Sequence, residues 1–336
     1  MKTVLNRTAV AILAILMGLT GLSFAQSNVY EGEVVTLIVP NSPGGRMSSY
    51  AQMLAPYIAE HLGADDVRIR NMQGAGGIIG TNNLWNADPD GMTMPFTSVP
   101  TLLLAQLSGI EGVQFDATEF VYLGRAATEP RVLAVGGGSP IGSIEDVQAL
   151  ERPFVFPTQG TDEDFYTMAV LADALDFELQ PVTGYEGNAD TTLAVISGDG
   201  DGHITAWSSS LAPIQDGDKK PILIIGANRV ESHPDVPTAT EVTSGEGEAL
   251  VRAIVNMIEM HRSFFGPPGM DEEAVAAMRE AVWNALQDPD LRAEADEAGL
   301  VIVPMHGDEE QTLVEEVAAA SADIAPILEE SIEAIQ

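Results

Sequence analysis

The chain has 336 residues, 45% of them apolar, with 50 acids against 15 lysines and arginines and no cysteine, for a formal charge of −35. So acidic a surface repels nucleic acid and anionic lipid, which excludes both as expected partners. Without cysteine there is no disulfide, no thiol nucleophile and no lipid-modified cysteine, so the fold must stand on its apolar cores alone.

Residues 1–25 read as a secretory signal: Lys2 and Arg7 give the positive start, 9–22 the apolar stretch, and 23–25 the small residues before Gln26. The expected product is a soluble periplasmic protein without a lipid anchor, at −37 once those two cations are removed. The roughly 310 residues that remain exceed the usual size of one core and favour two lobes.

Residues 34–39 (VVTLIV) form an unbroken apolar run, the pattern of a buried parallel strand. A corner with two glycines follows, and 48–62 carries Ala51, Leu54, Ile58 and Leu62 at helical spacing, interrupted at Pro56. The next unit repeats the plan: a strand at 67–70, a glycine corner at 71–80, a helix to Trp85, and a strand at 92–97. Strands are expected on both sides of Pro130, at 154–156 and at 222–226, with helices after the loops at 158 and 184. Asp271 reads as the N-cap of a long helix to Asp288, and a last helix pair spans 308–335 with a break at Pro326. This alternation predicts an α/β protein of doubly wound, mostly parallel sheets, with ligands held where loops leave the carboxyl ends of strands.

The motifs argue against catalysis. "GAGGIIG" at 74–80 misses the dinucleotide fingerprint, since Ile79 stands where the third glycine belongs, yet its glycines still let backbone amides approach an anion at a helix start. "GDGDGH" at 198–203 lacks the calcium-loop oxygens, because the fifth and twelfth positions from Asp199 are His203 and Ser210. The histidines at 61, 203, 233, 261 and 306 have no zinc spacing, and there is no G-x-S-x-G elbow. No metal, cofactor or catalytic residue is therefore expected. Arg46 and Arg125 each fit a carboxylate clamp or a solvated surface cation, and Trp207 fits a pocket wall or a core position.

The segments "VTLIVPNSPGG", "NMQGAGGIIGTNNLWNADPDGMTM", "HPDVPTATE" and "GPPGMDEEAVAAMREAVWNALQDPDLRAEADEAGL" together resemble the periplasmic substrate-binding proteins of tripartite tricarboxylate transporters, often called the Bug family. The resemblance spans essentially the whole mature chain. It implies a two-lobed, type II periplasmic binding protein (Venus flytrap) fold, with lobe 1 from 26–130 and 229–336 and lobe 2 from 131–228. It also implies a small organic acid as ligand, membrane permease subunits as partners, and a monomer that catalyses nothing. A sensory ligand-binding component and an exported enzyme on the same fold are the alternatives.

Carried over residue by residue, the family's ligand loops fall in lobe 1 on Asn41, Ser42, Gly44, Gly45, Arg46, Met47, Ser48, Gly76, Gly77, Ile78 and Thr81, with Ser98 nearby. In lobe 2 they fall on Thr158, Gly160, Thr161, Asp162, Gly187, Asn188, Trp207 and Ser208. The chain departs from the family pattern at several of these places. Ser48 stands for an aspartate, Arg46 adds a cation, and Asp162-Glu163 replaces a glycine-serine pair. Glu186 also stands where a basic or polar residue is usual. The first two changes favour an anion in lobe 1, and the acids of lobe 2 oppose one.

Overall fold

A computed structural model describes residues 29–41, 43–321 and 324–333. The signal segment and Ser42 lie outside the described residues. Three parallel strands form one half of a six-stranded sheet: β1 (Val34–Val39) pairs with β2 (Asp66–Asn71) on one side and β3 (Thr93–Thr97) on the other. The strands β4 (Val121–Arg125), β10 (Ser263–Gly266) and β11 (Met305–His306) add antiparallel, giving the order β11-β4-β10-β3-β1-β2. The second lobe holds β5 (Arg131–Gly136) between β8 (Gly202–Ala206) and β9 (Lys219–Ile225), all antiparallel. Beside them β6 (Phe154–Pro157) and β7 (Leu179–Val182) form a parallel pair.

The sheets are thus mixed where mostly parallel ones were expected. An apolar run shows that both faces of a strand are buried but not which way its neighbour points, and β4, β5 and β10 are buried almost throughout in antiparallel sheets. The helix predicted from 48 runs unbroken through Pro56 over Arg46–Leu62. The final break falls before Pro326, which is the second residue of helix Ala325–Glu333, where a missing N–H costs nothing.

Two large apolar cores result, with a small third cluster at Val132, Ala134 and Ile224. One lies between a face of the six-stranded sheet and the helices Arg46–Leu62 and Glu272–Gln287, with Phe96 and Phe264 at 4.5 Å between ring centres. The other starts at Tyr122 and Phe265 on the opposite face. It runs through helices Val99–Leu107, Glu246–Ile258 and Glu163–Leu175 to Leu133, Ile204 and Leu223 of the second lobe. The lobes therefore share apolar packing beside the cleft. The "GDGDGH" turn is structural: Asp201 accepts from Val155 N–H at 2.8 Å and from Arg152 at 2.5 Å.

Candidate functional site: the cleft between the lobes

Parallel strands β3, β1 and β2 all end on one side of the sheet, so the segments that leave Val39, Asn71 and Thr97 gather there. Asn71 ties the first corner down, its amide donating to the Asn41 carbonyl at 2.9 Å and to Ser48 Oγ at 2.8 Å. The second corner sits on the first. A Cβ at Gly80 would come within 2.8 Å of Pro40, and Gly77 takes φ +98 over the same proline, so both positions require glycine.

From these corners start the helices Arg46–Leu62, Ile78–Trp85 and Val99–Leu107, whose N-caps are Gly45, Gly77 and Ser98. None has a side-chain cap and none has an acid in its first turn. Several other helices start differently: Ser143, Asp271 and Asp288 cap theirs, each followed by one or two acids, although Trp207–Gln215 also starts without cap or acid. Three starts without a side-chain cap converge on one place and turn positive dipole ends toward an anion; at the second, the Gly77 and Ile78 amides already donate to the Gly74 and Ala75 carbonyls.

The second lobe meets this face directly. Gly76, at φ +63, lies against Thr161, where an added Cβ would approach the carbonyl oxygen to 2.6 Å. Thr158 Oγ1 donates to the Gly160 carbonyl at 3.0 Å, and Gln159 donates to Asn188 at 2.8 Å, linking the loops after β6 and β7. Gly187 begins helix Asn188–Ser197 without a side-chain cap. Asp162 by contrast caps helix Glu163–Leu175 through Phe165 N–H at 3.0 Å.

Two buried charge clusters close the rest of the cleft. In the first, Ser98 Oγ of lobe 1 donates to Glu163 Oε2, while Arg131 reaches Glu163 Oε1 from Nε at 2.6 Å and from Nη2 at 2.5 Å. Asp164 Oδ1 stands 3.6 Å from Arg131 Nε, and His261 Nε2 is 3.9 Å from Glu163. Burial pushes Asp162 up to about 6 and Asp164 well above the usual carboxylate range, with Arg131 opposing both. His261 is held well below its ordinary value by burial, then by Arg262 and Arg131, so it stays neutral.

In the second cluster Glu129 accepts from Ser208 N–H at 2.8 Å, from Ser208 Oγ at 2.9 Å and from Arg262 Nη2 at 2.7 Å. Burial raises the Glu129 carboxyl, but Arg262 and Ser208 outweigh it and hold the group below its ordinary range. Arg262 lies 4.7 Å over the Tyr50 ring and has φ +64, a strained conformation for a residue with a side chain, costing about 1–3 kcal/mol. It is the residue just before β10, where the chain returns to the first sheet.

The sequence-derived residues fall into three groups. Across the cleft Gly76 lies against Thr161 and Asp162 and Ser98 donates to Glu163; Gly77 and Ile78 continue the same corner, Thr158, Gly160, Gly187 and Asn188 belong to the linked loops after β6 and β7, and Thr81 turns inward to the Gly77 carbonyl at 3.1 Å. Gly44 and Gly45 are exposed, Met47 leans on the first core, and Ser48 is buried beneath the corner. Arg46 points to its own lobe, its Nη2 donating to the Gly299 carbonyl at 2.5 Å. Trp207 packs on Val132, Ala134 and Ile224, with its ring 5.0 Å from that of His233, and Ser208 is held by Glu129. Arg125 is buried and donates to the Glu259 and Val303 carbonyls, a structural role. Sequence reasoning missed Glu129, Arg131 and Arg262. The available signal was their scarcity: an arginine on an otherwise apolar strand start, in a chain with so few cations, needs a buried partner.

Comparisons with known proteins agree with this geometry. Residues 50–330 match the model of the tripartite tricarboxylate transporter family receptor. Protein BugT of Bordetella pertussis is 24% identical over 286 residues, covering 82% of this chain and 84% of that protein. Among solved structures, the periplasmic binding protein BugD superposes with a TM-score of 0.71 at 20% identity, covering 89% of this chain and 97% of BugD. MatC from Rhodopseudomonas palustris with bound malate superposes at 0.69 and 21% identity, covering 87% and 98%. With a family match over most of its length and the two-lobed fold of these binding proteins, the chain belongs to the tripartite tricarboxylate transporter receptor family.

Proposed function

We propose that this protein is a periplasmic receptor that captures a small di- or tricarboxylate between lobe 1 (26–130 and 229–336) and lobe 2 (131–228) and hands it to membrane permease subunits. The observation that carries the reading is the trio of uncapped, acid-free helix starts in a strongly acidic chain, all opening on the cleft. A carboxylate there would take backbone donors from 44–48 and from Gly76 beside Gly77 and Ile78, with the loops at 158–162 and 187–188 closing over it. Each hydrogen bond to the charged group contributes about 1.5–3 kcal/mol, so three or four support micromolar capture, which requires about 8 kcal/mol. Closure is a population shift, driven only by contacts that the ligand makes with both lobes. No bond is made or broken, and a monomer exported by its signal segment suffices. Among the described residues no helix is long and apolar enough to cross a membrane.

The test is a thermal-shift screen of residues 26–336 against malate, other di- and tricarboxylates, amino acids and amines. Saturation near 100 times the dissociation constant stabilises by about 2.7 kcal/mol, and at least one carboxylate is expected to do this. A response confined to amines would overturn the assignment.

A further inference from the structure

In the structure the cleft already contains a carboxylate on its donors. Glu163 is 2% exposed, and its two oxygens are divided between the lobes: Oε2 takes the Ser98 hydroxyl of lobe 1 and Oε1 takes the Arg131 guanidinium. A hydroxyl at a helix start and a guanidinium giving two donors to one oxygen are partners that a small carboxylate would itself seek. Ser98 and Arg131 are 6% and 7% exposed, so with the cleft closed neither is open to a ligand while Glu163 stays in place.

We propose that Glu163 is the specificity-determining residue of this cleft, a tethered carboxylate that occupies the Ser98–Arg131 donor pair in the unliganded protein and competes with the ligand for it. This rests on the carboxylate-receptor reading above. Asp164, 3.6 Å away, and Glu129 also act on Arg131. What Glu163 adds is the contact to the other lobe through Ser98. A ligand carboxylate must therefore displace a neighbour of its own charge, and ligands with a second anchor on the amides at 44–48 are favoured over monocarboxylates. An intramolecular competitor lowers apparent affinity by the fraction of molecules in which it is displaced.

The experiment uses malate as probe. Isothermal titration compares the mature wild type with Glu163→Gln and Glu163→Ser, and small-angle scattering of the unliganded forms adds Ser98→Ala, which leaves the Arg131–Glu163 pair intact. Removing the tethered charge is expected to tighten malate binding by about tenfold or more, since like charges in contact disfavour binding strongly. All three variants should scatter with a larger radius of gyration than the wild type, which stays compact without ligand. A wild type that binds malate while Glu163→Gln binds equally or more weakly overturns the competitor role alone, and so does an unchanged radius in Ser98→Ala. If neither wild type nor variants bind malate or any other di- or tricarboxylate, the carboxylate-receptor reading falls and this inference with it.

Discussion

On the first-lobe face of the cleft the helices at Arg46–Leu62, Ile78–Trp85 and Val99–Leu107 begin with no acid and no side-chain cap. The helix that faces them, Glu163–Leu175, begins with three consecutive acids, Asp162 to Asp164, and is capped by the first. Capping satisfies amide donors locally, and withholding it leaves them for a partner from elsewhere. One face of the cleft thus has no side-chain caps, and the opposite face supplies acids whose main cationic neighbour is Arg131. On the proposed carboxylate-receptor reading, the ligand is anchored mainly by lobe 1, while lobe 2 decides which anions are tolerated.

The largest expected effect comes from separating the faces. Gly76→Ala forces a side chain at φ +63 toward the Thr161 carbonyl, so the closed state loses about 1–3 kcal/mol and malate affinity falls roughly 5–150-fold. Titration calorimetry reads this directly, and an unchanged constant would mean that the faces do not meet at Gly76 when ligand is bound.

A smaller effect should follow from pH. Asp162 is flanked by Arg131, Glu163 and Asp164, with Ser98 and His261 across the cleft, and its carboxyl is raised to about 6 in the folded chain. A ligand anion beside it raises it further, so binding takes up protons and affinity should increase as pH falls from 8 toward 6, by at most about tenfold per unit for each proton. The same upward shift means that the folded state holds this proton more tightly than the unfolded chain. Stability of the unliganded protein therefore falls as pH rises from about 4 to 6. Affinity that drops on acidification within the upper window would remove the acidic face from the ligand's surroundings.

The smallest change is expected from Arg46→Ala. The guanidinium is part-buried and spent on the Gly299 carbonyl, so its loss should cost about 1 kcal/mol and lower the melting temperature by about 2 °C. A fall in malate affinity larger than this would show that Arg46 turns from Gly299 to the ligand.

How far the sequence reveals this arrangement depends on the range of the interaction. β1, its corner and the following helix are legible because a β-branched run, a proline and two glycines are local signals, each acting within a few residues. β10 was not legible: four residues, Ser263–Gly266, gain their place by pairing with strands more than 130 residues earlier. The glycine corners are visible for the same local reason. The Glu129–Ser208–Arg262 cluster joins three remote segments, and taken singly each charge reads as surface. Asp162 and Glu163 stood out as acids in an anion site, but that Glu163 would bridge Ser98 and Arg131 follows only from helix Val99–Leu107 packing on helix Glu163–Leu175 and from Arg131 standing at the start of β5.

Helix Glu163–Leu175, buried on nearly all sides, packs against Glu246–Ile258 and Ala325–Glu333 as well as its own lobe. Opening the cleft must slide this helix along those neighbours, a shear more than a free hinge, and bare apolar side chains to water. The open form then carries the larger heat capacity, and because apolar burial weakens on cooling, cold should loosen the receptor and gentle warming should tighten it.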